Sequence, residues 1–181
     1  MRHVPTATVD VPAVGLSLPV QVADVVDGLA LALAPRLRGR VLDLGTASGR
    51  EVLIAAIHGS LDAGHFDTIV SVCGLVHVPD LFAAVTAIEA LLAPSGSALV
   101  VEPVDRPVPG GLVLATLGAL HQRVRGVQVN RDVPATIRCT SLTVVDIERI
   151  AMPTPIWPLR SFVALTAARV AAPSTDAAGA R

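Results

Sequence analysis

Lysine and tyrosine are absent from this 181-residue chain, and aromatic residues amount to only 2%, three Phe and one Trp. A core without large rings has to be filled by Ala, Val and Leu, which suits layers of strand and helix. Charge is scarce too. Charged residues make up 16%, the formal net charge is −1, and all 14 basic residues are Arg. We read the missing Lys as coding bias before chemistry; either way, no basic face for nucleic acid is expected. The two cysteines, Cys73 and Cys139, are too few for a disulfide framework and too far apart for metal-ligand spacing. No metal is therefore expected, and a reducing, cytoplasmic setting is. The longest apolar stretch, Pro107 to Leu120, is interrupted by Pro and Gly, so it falls short of the ~18 uninterrupted apolar residues of a membrane span. Near the start, Asp10 and several prolines break up what would be the apolar segment of a signal peptide.

What the chain does have is hydropathy. Hydrophobic residues reach 52% and the mean hydropathy is +0.63, which excludes a disordered chain. The length suits one domain with a real core. It is expected over residues 19–170, after an irregular lead-in (1–18) and before a disordered tail (171–181).

Apolar residues at Val22, Val26, Leu29, Leu33 and Leu37 recur at steps of three and four, which predicts a helix over 19–38 closed by Gly39. Arg40 to Leu44 reads as a short strand running into Gly45-Thr46-Ala47-Ser48-Gly49, with a second helix from about Arg50 to His58. Phe66 to Cys73 reads as a buried strand, and Asp80 as the N-cap of a helix with Leu81, Val85, Ile88 and Leu92 on one face. Pro94-Ser95-Gly96 should end that helix before a third strand, Ala98 to Glu102. A weaker helix is expected after Gly110-Gly111 and a short one from Asp132 to Arg138. Two strands, Thr143 to Ile150 and Ser161 to Val170, flank a proline-rich break. The alternation predicts an α/β fold, mostly parallel, with an antiparallel C-terminal hairpin at the sheet edge.

The informative segment is Val41-Leu42-Asp43-Leu44-Gly45-Thr46-Ala47-Ser48-Gly49. Glycines between strand and helix allow a sharp turn and close approach of a ligand to the main chain. As a nicotinamide fingerprint it is poor, because the third glycine is missing and Asp67 lies at the start of its strand rather than the end. A phosphate-gripping loop would need a Lys. The segment instead resembles the first motif of class I S-adenosylmethionine-dependent methyltransferases. Phe66 to Ser71 with Leu75 to Asp80 is similar to that family's fourth strand and the turn after it. Leu91 to Gly96 with Leu99 to Pro103 is similar to its fifth strand and the helix end before it. Further on, Asn130-Arg131-Asp132, Ile147-Glu148-Arg149 and Pro158 are similar to small-molecule members of the ubiquinone/menaquinone and thiol type. The resemblance spans roughly residues 38–170.

It implies S-adenosylmethionine as cofactor. Asp43, Gly45, Thr46, Ala47 and Gly49 would lie at the cofactor's methionine end, with Ser71 and Cys73 beside it. Ala47 stands where the family's middle Gly is usual, which a negative φ tolerates. The larger departure is length. Between Gly49 and Asp67 there is room for one helix and a turn, where the family has two further strand–helix units. The acid that binds the ribose and the loop that covers the adenine have no counterpart here. The sheet is thus expected to be a truncated Rossmann-like one, with its first strand at an edge. The strand-order reversal that opens the cofactor crevice is then missing from the single chain. A right-handed crossover would also move the second helix to the face opposite its family position.

The open edge suggests pairing with a second copy or another chain. Two functions follow: methyl transfer to a small, apolar acceptor, or a non-catalytic methyltransferase-like domain, decayed or dependent on a partner. A reductase-like dinucleotide binder is the weaker third. No catalytic residue is assigned. His77 and His121 are candidate bases, each more simply read as ordering its local turn or helix. Cys73 reads as a small buried hydrophobe, Asn130 and Asp132 as caps, and Trp157 as a packing plug.

Overall fold

Five strands share one sheet, and the burial pattern shows why. In the strand Phe66–Val72, residues alternate between two separate apolar clusters: Ile69 joins one, Val70 and Val72 the other. This is the period of a strand buried on both faces. The computed structural model describes residues 20–61, 64–103, 131–151 and 161–169, with side chains from residue 26 onward. The lead-in, the helix expected after Gly110-Gly111, His121, Asn130, Trp157 with its prolines, and the tail all lie outside these residues.

In chain order the elements are α1 (Val20–Leu33), β1 (Val41–Asp43), α2 (Ala47–Ile57), β2 (Phe66–Val72), α3 (Leu81–Leu91), β3 (Leu92–Pro103), α4 (Val133–Arg138), β4 (Leu142–Ala151) and β5 (Ser161–Arg169). The sheet order is β1-β2-β3-β5-β4. β1, β2 and β3 run parallel, while β5 is antiparallel to both β3 and β4. The fold is therefore the mixed α/β sheet with a C-terminal hairpin that the sequence predicts. Among the described strands, β1 stands at the edge.

Several boundaries differ from the sequence expectation. α1 gives way at Ala34 to a single 3-10 turn, Ala34–Arg36, because Pro35 has no N–H with which to continue the α-helical ladder. α2 begins at Ala47, three residues early, because Thr46 caps it: the Thr46 hydroxyl accepts from the Gly49 amide at 3.0 Å. β3 starts at Leu92, directly after α3. Its residues Ala93 to Gly96 are an irregularity between the pairs Phe66↔Leu92 and Thr68↔Ser97 rather than a break before the strand. Asp80 and Asp132 cap α3 and α4 as expected, accepting from the Ala83 and Ala135 amides at 3.0 and 2.9 Å. Each such cap contributes about 1 kcal/mol.

One face of the sheet carries α2, α3 and α4 over Leu42, Leu44, Ile69 and Val100. The other carries α1, whose Val26, Leu29 and Leu33 meet Val70, Val72, Leu99 and Val101. The two parallel crossovers, β1–α2–β2 and β2–α3–β3, step the same way across the sheet. Their helices lie on the same face, so both have the same hand, as the right-handed rule requires of them jointly. Helix α2 therefore lies beside α3, the placement expected once the intervening strands are missing.

Candidate functional site

The C-terminal ends of β1 and β2 meet at the glycine turn. Asp43 ends β1 with an exposed carboxylate. Its Oδ1 accepts from the Gly45 amide at 2.8 Å, and its backbone carbonyl accepts from the Thr46 hydroxyl at 2.7 Å. The turn is thus closed on itself by its own polar residues. Arg50, one turn into α2, donates from Nη1 to the carbonyls of Gly45 (2.8 Å) and Leu44 (3.3 Å). The Ala47 and Ser48 amides, at the first two positions of α2, have no intrahelical acceptor by the geometry of any helix start.

The two glycines of the turn do different work. A Cβ on Gly49 would stand 1.8 Å from the Asp43 carbonyl oxygen, so Gly49 is what lets α2 sit on the end of β1; it is buried. Gly45 is exposed, and a Cβ there would meet only the Asp43 carboxylate, at 3.0 Å, and the Val72 carbonyl, at 3.6 Å. Without a side chain it leaves room for close approach at the surface, its amide and carbonyl being held by Asp43 and Arg50. Ala47 keeps a negative φ, since Cys73 is the one non-Gly residue with positive φ among the described residues.

Asp43, Gly45, Thr46, Ala47 and Gly49 are therefore brought together, and Cys73 is near them at the end of β2. Ser71 is fully buried; its hydroxyl donates to Glu102 Oε1 at 2.5 Å and lies against Gly74, which also packs on the Leu44 carbonyl at the start of the turn. Cys73 has φ +54, a backbone region that is uncommon for a side chain of this type. Its thiol is pushed up to about 12 by burial and by the Glu102 charge, so it is a neutral thiol and no nucleophile. His77 lies on a 3-10 turn, Leu75–His77. Partial burial and then the Arg50 charge lower its pKa from the ordinary 6.5, leaving a neutral imidazole at pH 7. Asp67, set aside as a ribose ligand, binds the Arg40 amide at 2.8 Å and joins the starts of β1 and β2, at the far end of the strands.

Two residues without a sequence-assigned role complete the site. Glu102 is the one buried carboxylate among the described residues. Arg131 donates to the Leu75 and Pro79 carbonyls at 3.2 and 2.9 Å. The signal for Glu102 was available: an acid at the end of the apolar run Ala98 to Val101, in a strand expected to be buried.

No family model matches this sequence, and no curated protein does. Solved structures do match. The [4+2]-cyclase SpnF aligns over 81% of this chain and 82% of its own at 14% identity, with a TM-score of 0.54. A chain from the complex between the Haloferax volcanii Trm112 methyltransferase activator and the putative methyltransferase aligns over 83% and 93% at 14% identity, TM-score 0.53. A putative sarcosine dimethylglycine methyltransferase from Galdieria sulphuraria aligns over 82% and 86% at 9% identity, TM-score 0.51. The chain has the class I methyltransferase fold. Against a SAM-dependent methyltransferase from Methanosarcina mazei it covers 64% of that chain, with 15% identity and a TM-score of 0.46. A methyltransferase fold hosts more than one chemistry, as the cyclase illustrates, so function rests on the site.

Proposed function

We propose that this chain binds S-adenosylmethionine and supports methyl transfer to a small, apolar acceptor, in a reducing, cytoplasmic setting and without nucleic acid. The observation that carries the proposal is the glycine turn at the end of β1, seated in this fold. There, an exposed carboxylate (Asp43), an exposed residue with no side chain to block close approach (Gly45) and two helix amides without an intrahelical acceptor (Ala47, Ser48) converge. That donor and acceptor set suits the zwitterionic methionine end of the cofactor: Asp43 toward the ammonium, the α2 amides toward the carboxylate. Thr46 holds the turn's shape, and Cys73, a neutral thiol, offers a small apolar wall. Bound S-adenosylmethionine would supply an electrophilic methyl group on a sulfonium, so the chain's part is binding, orientation and exclusion of water. His77, neutral and accessible, is the candidate base for a protic acceptor.

The adenosine end has no such set among the described residues, since no strand stands beyond β1. We therefore expect weak cofactor binding by the monomer, strengthened where a second copy or another chain pairs with the β1 edge. That edge is short. In a parallel ladder alternate residues face the neighbour, and with Leu44 N bonded to Val70 O, only Val41 and Asp43 face outward. A non-catalytic methyltransferase-like domain is the second reading, favoured by that same open edge.

The test is calorimetric titration of the purified chain with S-adenosylmethionine, followed by transfer from labelled cofactor to a panel of thiols, phenols and quinols. The proposal expects a saturable signal and labelled product, both lost in Gly45→Leu. No heat at millimolar cofactor, and no product from any acceptor, would leave the non-catalytic reading standing. A micromolar Kd for a species shown by light scattering to be monomeric would overturn the expected dependence on a partner.

A further inference from the structure

Glu102 lies near the end of β3 with 1% of its surface exposed. Its Oε1 accepts from the Ser71 hydroxyl at 2.5 Å and from the Leu75 amide at 2.9 Å. Its Oε2 has no hydrogen-bond partner among the described residues. A carboxyl buried this deeply is costly as an anion; its strand neighbours Val100 and Val101 are apolar and buried, and the donors that face it come from Ser71 and the turn after β2.

What Glu102 holds is the turn after β2. Leu75 begins the 3-10 turn Leu75–His77, and Gly74 before it is wedged between two backbones. A Cβ on Gly74 would stand 2.5 Å from the Leu44 carbonyl oxygen and 2.8 Å from Ser71 Oγ. Leu44 is the first residue of the glycine turn, and its carbonyl is the one that Arg50 also binds. A contiguous path therefore runs from the Glu102 carboxyl through Ser71 and the Leu75 amide to Gly74, then to Leu44 and the glycine turn. Arg131 grips the same turn through the Leu75 and Pro79 carbonyls, and its charge also interacts with Glu102. Cys73, at the hinge between β2 and this turn, holds the strained positive φ.

We propose that Glu102 is a positioning residue: its carboxyl, touching no ligand itself, locks the Gly74–His77 turn against the glycine turn, holding it closed when neutral and releasing it when ionised. The proposal rests on the methyltransferase reading only where it extends to cofactor affinity.

The sign follows from linkage. Burial raises the Glu102 pKa from 4.5 to about 7, against the opposing pull of the Ser71 hydroxyl and the Leu75, Gly74 and Val76 amides. Opening the turn admits water and restores an ordinary carboxyl. The closed turn is thus favoured while Glu102 is protonated, and that preference is lost as pH rises through about 7. The charged and titratable groups around Glu102 are Cys73 at the end of β2 and Arg131 ahead of α4, with Asp80 beside Arg131. Cys73 stays neutral to about 12, and the facing residue on β5, Val163, is apolar. Glu102 is therefore the group that changes charge near neutrality. His77, on the same turn, is lowered from 6.5 and is controlled for by the variant below.

The experiment follows amide hydrogen exchange at Leu75 between pH 5.5 and 8.5, expressed as a protection factor so that intrinsic base catalysis drops out. In the unmodified chain, protection should fall by on the order of 30-fold across this range. In Glu102→Gln, which keeps the shape but cannot ionise, it should be flat. Constant protection in the unmodified chain, or an unchanged fall in Glu102→Gln, would overturn the lock. The first of these readings needs no variant, so misfolding of a mutant does not rescue the idea. A parallel titration with S-adenosylmethionine separates the two proposals. Affinity that falls with pH in the unmodified chain and not in Glu102→Gln supports the extension to the cofactor; identical pH profiles overturn that extension. No binding at any pH, with the exchange result intact, overturns the cofactor reading and leaves the lock.

Discussion

The two sides of the candidate crevice are built on opposite plans. The β1 side is short, exposed and self-contained: three strand residues, a turn closed by Asp43 and Thr46, and a capped helix. The turn is closed by residues two to six positions away, so its conformation is local. The β2–β3 side is buried and non-local. Its turn is held by Glu102, 27 residues away from Leu75, and by Arg131, 56 residues away. A local turn survives substitution of distant residues, whereas a non-local one depends on the charge state of a group it does not contain. Binding geometry on this side can therefore respond to pH, and on the other it is set once the helix is capped.

The sharpest way to break the β1 side is Gly49→Val. A Cβ 1.8 Å from the Asp43 carbonyl collides with backbone that cannot yield, and a loss of about 3 kcal/mol or more is expected in urea denaturation. Gly45→Leu, by contrast, should leave stability nearly unchanged. The β2–β3 side responds next. Below pH 4.5 the buried Glu102 is neutral both folded and unfolded. Between 4.5 and about 7 the folded chain retains a proton that the unfolded chain has released, so stability should decline as pH rises. The total is on the order of 3 kcal/mol. Glu102→Gln should remove that slope and be the more stable protein at pH 8. Glu102→Ala should be less stable than Glu102→Gln at every pH, because it leaves the Leu75 amide and the Ser71 hydroxyl buried without an acceptor. Smallest is Thr46→Ala, which removes the cap on Gly49 and should cost about 1 kcal/mol without altering the pH profile.

Much of this was legible in advance, and the reason differs by feature. Asp80 and Asp132 announce their helices because capping is a matter of three residues in a row. The strand order could be anticipated because one helix and a turn between Gly49 and Asp67 leave no room for further strands. The start of α2 at Ala47 was missed because Gly45 to Gly49 reads as one loop by composition. Only the close seating of Gly49 against the Asp43 carbonyl makes it part of a helix. Ser71 was expected beside Cys73; that its hydroxyl is buried against Glu102 Oε1, 31 residues on, is a pairing across the sheet that no local pattern announces. The burial of Glu102 was signalled by the apolar run before it, but the partners of Glu102 and Arg131 were not: Ser71 and Leu75 lie 27 to 56 residues away, and no spacing links them.

By itself, the sequence determined the composition of the core, the order of the elements, the helix caps and the glycine turn, all of which depend on neighbours within a few positions. The tertiary structure decided which residues share a face and put α2 beside α3. It also placed one buried carboxyl under the turn that borders the site. These depend on pairing across the sheet, where residues tens of positions apart share one desolvated space and a charge acts on whatever the fold has brought beside it.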